Sequence, residues 1–291
     1  MKSTQGEKIF YSLNYIILIL IGLSCVLPLV HVFSLSLSDR HAIASGNVIF
    51  WPVNLNAGGY SALFKETPIV TAFVNSVVIT VVGATLNMVF TILAAYPLSK
   101  RYFIGRRFYS FAVIFTMIFS AGVIPSYLVV KALGLLNGYG SLWLPGLVSV
   151  WNLMVLRSFF EGLPEELEEA ARMDGCSEWR LILQIVLPLS GPVIAALSLF
   201  YGVAHWNAFM NVLIYINDSG KYNLAVLVQQ MIQNQTLMQE ISVHDPGLAN
   251  SITPEGVKSA GVVVMTLPML IIYPFVQKYF VKGVMIGAVK G

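Results

Sequence analysis

The chain has 291 residues, of which 57% are hydrophobic and only 11% charged, with a formal net charge of +3 and a mean hydropathy of +0.76. An ordinary soluble domain carries roughly 25% charged residues, so this chain has under half the supply needed to cover a water-facing surface, whereas a lipid-facing surface needs little. No basic stripe interleaved with aromatics argues for nucleic acid, and two cysteines, Cys25 and Cys176, do not make a disulfide framework.

A transmembrane helix takes about 20 mostly apolar residues, and six segments meet that requirement: Tyr11–Ser34, Ile69–Leu98, Phe108–Val130, Leu142–Leu156, Ile185–Trp206 and Val257–Phe280. The first contains Gly22-Leu23-Ser24-Cys25, which faintly resembles a lipoprotein cleavage site, but its apolar run continues past the cysteine through Val26, Leu27, Leu29 and Val30. Signal h-regions are about 7–15 residues long, so this is read as a retained span. The fourth is short, and flanking residues such as Tyr139 and Phe159 extend it. Backbone polar groups in lipid must be satisfied within the segment, so each span is expected to be helical. Pro28, Pro125, Pro145, Pro192, Pro268 and Pro274 are expected to interrupt several of them.

Orientation follows from Lys and Arg. With the N-terminus inside, 12 of them fall on the cytoplasmic side and 5 on the outer side, accounting for all 17. The deciding loop is Ser99–Arg107, SKRYFIGRR, with four positive charges. The expected fold is therefore all-α, a polytopic membrane protein with six transmembrane helices and both termini cytoplasmic. It reads as a single transmembrane domain over residues 1–291. Residues 1–10 form a cytoplasmic N-terminus and 11–280 a six-helix bundle, with a cytoplasmic loop at 161–184 and a large outer loop at 207–256; residues 281–291 form a cytoplasmic tail. In the outer loop, the apolar spacing over Tyr222–Glu240 predicts a short amphipathic helix across the outer mouth, and Ser242–Pro254, containing Asp245-Pro246-Gly247, reads as loop.

The cytoplasmic loop before the fifth span holds half of the chain's acids, seven of fourteen. Pro164 suits a first helical position. Glu165, Glu166 and Glu168 sit at the positive end of the helix dipole and Arg172 toward the negative end. Gly175 supplies a left-handed stop, and Ser177 caps a second helix entering the membrane. The spacing predicts a short helix over Pro164–Asp174 with Leu167, Ala170, Ala171 and Asp174 on one face, where two small alanines permit close approach and Met173 adds an adaptable apolar contact. Physics alone leaves two readings open, a self-contained interfacial helix and a docking helix.

Glu169-Ala170-Ala171, three residues, Gly175, nine residues, then Ile185-Val186-Leu187-Pro188 resembles the EAA loop of bacterial ABC importer permeases, with every fixed position at the expected spacing. The likeness runs along most of the chain and is closest to carbohydrate-importer permeases of the maltose-transporter type, in the oligosaccharide subgroup of Gram-positive bacteria. The C-terminal run from Lys278 to Gly291, KYFVKGVMIGAVKG, is similar to that subgroup's ending. The resemblance implies a multi-pass subunit of the bacterial cytoplasmic membrane. It also implies a coupling element of Glu169, Ala170, Ala171, Asp174 and Gly175, seated in a cleft of an ATPase subunit, with Leu187 and Pro188 anchoring the following helix and the C-terminal tail reaching toward the ATPase pair. The implied partners are a second homologous permease, two ATPase subunits that carry ATP and Mg, and an extracellular or lipid-anchored solute-binding protein, with membrane lipid around the bundle. The chain itself binds no cofactor on this reading. It has no G-x-x-x-x-G-K-[ST] phosphate loop, since Gly220-Lys221 lacks the rest of the pattern.

Polar residues inside spans mark solute pathways or bond neighbouring helices. The best group, Tyr201, His205, Trp206, Asn207 and Asn211, offers aromatic faces and amide or imidazole groups suited to a sugar. An interfacial aromatic belt is the plainer alternative. Asn75, Asn87 and Asn152 are lesser pathway candidates, and His31 reads as interfacial. An ion-coupled secondary transporter and an importer permease for a non-sugar solute remain as alternatives. The former would carry membrane-embedded charges, which these spans lack near their centres. A membrane-embedded enzyme would need converging catalytic groups, but the acids concentrate in one loop, and the four histidines lack metal-ligand spacing.

Overall fold

In the computed structural model, which describes residues 5–119, 121–233 and 252–288, the chain is helical with connecting turns, and no strand occurs among the described residues. Among the described residues, three helices are long and apolar enough to cross a membrane: Gln5–Ser36, Ile69–Ser99 and the Pro254–Phe275 part of a helix running Pro254–Ala288. The first, 32 residues long, spans about 48 Å at 1.5 Å per residue, more than the roughly 30 Å of a bilayer's hydrocarbon core. None of its most apolar window is buried within the protein, so lipid or another apolar surface must cover it.

The third and fifth predicted spans are bent pairs. Arg106–Ile118 and Val123–Ala132 meet at 116°, and Glu178–Leu189 and Gly191–Trp206 at 85°. The region predicted as a span over Leu142–Leu156 is a four-residue helix, Gly140–Trp143, then a non-helical stretch, then Val150–Glu161. Proline placement explains much of this, and corrects the expectation that all six prolines interrupt helices. Pro28, Pro268 and Pro274 lie inside continuous helices. Pro125 sits in the first turn of its helix and Pro192 at the start of Gly191–Trp206; there a missing N–H costs nothing. Pro145 falls in the gap between Gly140–Trp143 and Val150–Glu161.

Two units make up the chain. In the first, Met1–Val70 with Leu227–Leu267, the segment after the first helix folds back on it. Ser34 Oγ donates to the Phe50 carbonyl at 2.7 Å, Ser38 Oγ accepts from Val53 N–H at 3.1 Å, and His31 Nδ1 meets the Ile49 carbonyl at 2.8 Å. His31 is thus held by the returning chain. Gly59 lies so close to the Gly256 backbone that a Cβ there would stand 3.2 Å from its carbonyl oxygen.

The second unit, Thr71–Val226 with Pro268–Gly291, has two apolar cores. Phe160, Leu153, Leu156, Leu181, Val186 and Leu197 centre one, beside the acidic loop. Ile79, Val130, Leu142, Val212, Ile216 and Val226 centre the other. The outer-loop helix predicted from Tyr222 covers Leu224–Gln233. Its residues Leu224 through Val228 are all buried, so it is an embedded helix rather than one lying across a surface. The consecutive run Leu-Ala-Val-Leu-Val leaves no polar face over those residues. Residues 234–240 of that prediction, and most of the Ser242–Pro254 loop, lie outside the described residues.

Asn223 starts this helix while fully buried. Its Oδ1 accepts from Val226 N–H at 3.1 Å, and its Nδ2 donates to the Ala208 carbonyl at 2.6 Å. Asn223→Ala removes a cap and strands a buried carbonyl, and is expected to cost about 2–4 kcal/mol, read as a lowered thermal midpoint of the detergent-solubilised protein.

Candidate functional site

The acidic loop folds largely as its residue types dictate. The helix runs Glu165–Met173, with Pro164 one position outside it at the N-cap (φ −59°, ψ 124°) rather than at the first helical position. Gly175 is left-handed at φ +73°. Its N–H donates to the Arg172 carbonyl, and Cys176 N–H to the Ala171 carbonyl, both at 3.0 Å. This pair of bonds is the Schellman closure that a left-handed glycine permits. Ser177 Oγ then accepts from Arg180 N–H at 3.4 Å, starting the next helix. That helix passes through a π-helical stretch, Ile182–Val186, before Leu187–Leu189. Leu187 packs against the core beside the acidic loop, while Pro188 is exposed.

The basic turn after the Ile69–Ser99 helix clasps this loop. Lys100 Nζ pairs with Glu168, the two side chains being only 10% and 13% exposed, and lies over the Tyr96 ring. Tyr96 OH donates to Glu178 Oε2 at 2.7 Å, and Glu178 Oε1 meets Arg172 at 2.7 Å. Arg172 also donates to Tyr102 OH at 2.6 Å, a bond that raises its guanidinium further above its ordinary range and keeps it charged. Arg106 and Arg157 converge on Glu161, Arg157 Nε at 2.8 Å. Arg101 and Glu165, 3.8 Å apart and both largely exposed, add little. The loop read as an orientation signal is therefore also half of an ion-pair network.

This clasp decides which face of the Glu165–Met173 helix is free. Ala171 turns inward into the core with Leu181 and Phe160, so the expected four-residue outer face of Leu167, Ala170, Ala171 and Asp174 loses one member. Glu168 occupies the same inner side, three residues away. Met173 is 88% exposed and Leu167 45%. Glu169, Ala170 and Asp174 are exposed too, and Glu169 and Asp174 have no ion-pair partner among the described residues. Trp179 and Leu183, both more than 60% exposed, extend this bare apolar surface along the next helix.

The polar residues of the fifth span divide differently from expectation. A cavity of about 640 Å³ is lined by Tyr201, His205 and Asn211, together with Asn87, Asn152 and Trp151. Asn87 Nδ2 donates to the carbonyls of Gly146 (2.6 Å) and Leu147 (3.0 Å), leaving Oδ1 to accept from His205 Nε2 at 2.7 Å. Gly83 makes room for the ring, since a Cβ there would lie 2.6 Å from His205 Nε2. Tyr201 is buried, and its hydroxyl accepts from Ser149 N–H at 3.0 Å while bonding Thr91 Oγ1 at 2.7 Å, so it frames the cavity wall. Trp206 and Asn207 are not part of the lining. Trp206 is buried edge-on against Phe73 at 5.9 Å, and Asn207 closes the helix with its N–H on the Val203 carbonyl. Asn75 is spent on the Gly220 and Tyr222 carbonyls, both at 2.9 Å.

Two features escaped the sequence reading. Trp151 lines the cavity half exposed, meeting Phe200 edge-on at 5.4 Å. Its signal was available, an aromatic adjoining the in-span amide Asn152. The pairing of Lys100 with Glu168 joins positions 68 residues apart and had no local signal.

Residues 87–286 match the family described as "Binding-protein-dependent transport system inner membrane component". The polygalacturonan/rhamnogalacturonan transport system permease protein YtcP of Bacillus subtilis (strain 168) is 40% identical over 98% of this chain and 99% of its own. The arabinooligosaccharides transport system permease protein AraQ of Halalkalibacterium halodurans is 30% identical over 93% of each chain. Among solved structures, a chain of a bacterial ABC transporter involved in the import of the acidic polysaccharide alginate superposes with a TM-score of 0.89 at 30% identity, covering 96% of this chain and 99% of that one.

Breaking one side of the buried clasp leaves an uncompensated charge. Lys100→Met is expected to destabilise by about 3–5 kcal/mol, whereas replacing both Lys100 and Glu168 by Met returns to within about 1 kcal/mol of wild type. Denaturant unfolding of the purified complexes measures both.

Proposed function

The chain belongs to the family of binding-protein-dependent transport system inner membrane components and is a permease subunit of an ATP-binding-cassette importer for carbohydrate, and on that premise we propose that it forms half of the pathway for an oligosaccharide. On this reading the chain crosses the bacterial cytoplasmic membrane six times with both termini inside. The three continuous helices, the two bent pairs and the broken stretch around Gly140–Glu161 count as the crossings. The positive-inside bias supports that orientation, and the ion pairs joining Lys100, Arg101 and Arg106 to the acidic loop support a common side for the two loops. A second homologous permease, two ATPase subunits holding ATP and Mg, and an extracellular or lipid-anchored solute-binding protein complete the machine. The transport-system names of the relatives support that assembly, and their sugar polymers support the solute class.

One observation carries the coupling role: the Glu165–Met173 helix is locked to its own bundle on one face and bare on the other. The locked face transmits force to the membrane helices, and the bare face receives it. Met173 and Ala170 form the middle of the contact with the ATPase, flanked by Glu169 and Asp174. Gly175 sets the turn that aims the helix, Ala171 seats it, and Leu187 and Pro188 carry its motion into the following arm. The membrane cavity serves as this subunit's share of the solute path, with His205 and Asn211 on its wall, Tyr201 framing it, and Trp206 and Asn207 supporting the helix end.

The test is uptake in proteoliposomes containing the full complex. ATP must be required, and accumulation driven by an ion gradient without ATP would overturn the proposal. Within that assay, Gly175 offers a graded probe. A Cβ there meets nothing within 4 Å, so only the left-handed backbone resists substitution, at roughly 1–2 kcal/mol for an ordinary L-residue. Gly175→Asn is expected to keep most uptake and Gly175→Val to lose at least tenfold, while ATP hydrolysis persists in both.

A further inference from the structure

We infer that the cavity beside His205, taken as the solute path proposed above, receives an uncharged, hydroxyl-bearing sugar ring laid against Trp151, with His205 Nδ1 accepting one of its hydroxyls. Three observations converge on this. The first concerns the state of the imidazole. Asn87 donates from Nδ2 to two carbonyls, so Oδ1 is the atom presented to His205, and an oxygen there accepts. His205 therefore carries its proton on Nε2, which leaves Nδ1 a lone-pair acceptor with no partner among the described residues. The rigidity of the arrangement comes from Gly83, whose missing side chain lets the ring lie against the neighbouring helix.

The second observation is the aromatic wall. Trp151 and Phe200 meet edge to face at 89°, and Trp151, half exposed overall, is among the residues that line the cavity. A broad apolar plate next to a few fixed polar atoms is the usual composition of a small-molecule site, and about 640 Å³ lies within the roughly 300–1,000 Å³ such sites occupy. A sugar ring, apolar on its C–H faces and polar around its rim, matches that division. Asn211, exposed at the same wall, offers both a donor and an acceptor to further hydroxyls.

The third observation is charge. Every side chain on this wall is uncharged when His205 is neutral; none is Asp, Glu, Lys or Arg. A carboxylate brought away from water needs a cation or several fixed donors, and the frame atoms here are already engaged, Asn87 with two carbonyls and the Tyr201 hydroxyl with Ser149 and Thr91. Hydroxyls need only the acceptor and amide that remain. The cavity therefore suits neutral rings better than a chain carrying a carboxylate on each unit, in contrast to the relative named for polygalacturonan and the neighbour named for alginate.

The experiment titrates the complete importer in detergent, without ATP, with arabinotriose as neutral probe and trigalacturonate as acidic probe, following tryptophan emission. Arabinotriose is expected to quench emission saturably. That quench should be absent from Trp151→Phe, which keeps an apolar ring at a half-exposed position, and its half-saturation should rise at least fivefold in His205→Ala. Trigalacturonate is expected to bind at least tenfold more weakly. Equal or tighter binding of trigalacturonate, quenching that survives in Trp151→Phe, or no saturable quench with arabinotriose would each overturn the inference. ATP-driven uptake measured on the same preparation reports separately on the importer reading: uptake intact with the quench missing sinks only the cavity assignment.

Discussion

The geometry of the acidic loop depends on the buried pairing of Lys100 with Glu168. Taking two opposite charges out of water is costly, and their attraction offsets the cost only when the geometry is close and the neighbours are polar. Both conditions hold here. The ammonium lies over the Tyr96 ring, and the adjoining carboxylate of Glu178 is held by Tyr96 and Arg172. Besides this pair, the burial of Ala171 and the bonds of Arg172 to Tyr102 and Glu178 orient the Glu165–Met173 helix. With these in place, the helix can present only one face outward. The end of the Ile69–Ser99 helix and the Glu165–Met173 helix are thereby tied together.

That rigidity clarifies a point the sequence left divided. Residue types alone allowed the acidic segment to be an interfacial helix closed on itself or a docking helix. The structure has it both closed on itself along Glu168 and Ala171 and open along Ala170 and Met173. Along its closed face the helix is joined to the end of the Ile69–Ser99 helix through Lys100 and to the core around Phe160 through Ala171.

Local chemistry was the legible part. The left-handed Gly175, the Ser177 cap and the extent of the Ile69–Ser99 helix follow from nearest neighbours, as caps and apolar periodicity should. What was not legible is tertiary. Hydropathy measures how apolar a stretch is and is blind to where it turns; Pro125, Pro145 and Pro192 marked the three stretches that break, but not the sharpness of each turn. The inward turn of Ala171 depended on a lysine far away in the chain. At the cavity, composition identified the aromatic and amide types, but not which were free. Tyr201 and Trp206 attracted notice and are occupied by structural contacts, while Trp151, ordinary by its sequence context, stands open.

The 85° turn between Glu178–Leu189 and Gly191–Trp206 makes that stretch a bell crank. Its corner is Ser190, wholly buried, with a side-chain hydroxyl that has no hydrogen-bond partner among the described residues. The corner is therefore held by backbone hydrogen bonds alone, from Ser190 N–H to the Val186 and Leu187 carbonyls and from Ile194 N–H to the Ser190 carbonyl. The lower arm starts one turn from the clasp at Glu178, and the upper arm ends at His205. Fifteen residues at 1.5 Å each make the upper arm about 22 Å long, so a tilt of roughly 5° at the corner carries the imidazole through about 2 Å. That is enough to break or make the hydrogen bond to Asn87. A small tilt at the Ser190 corner thereby has the leverage to change which acceptor the cavity offers.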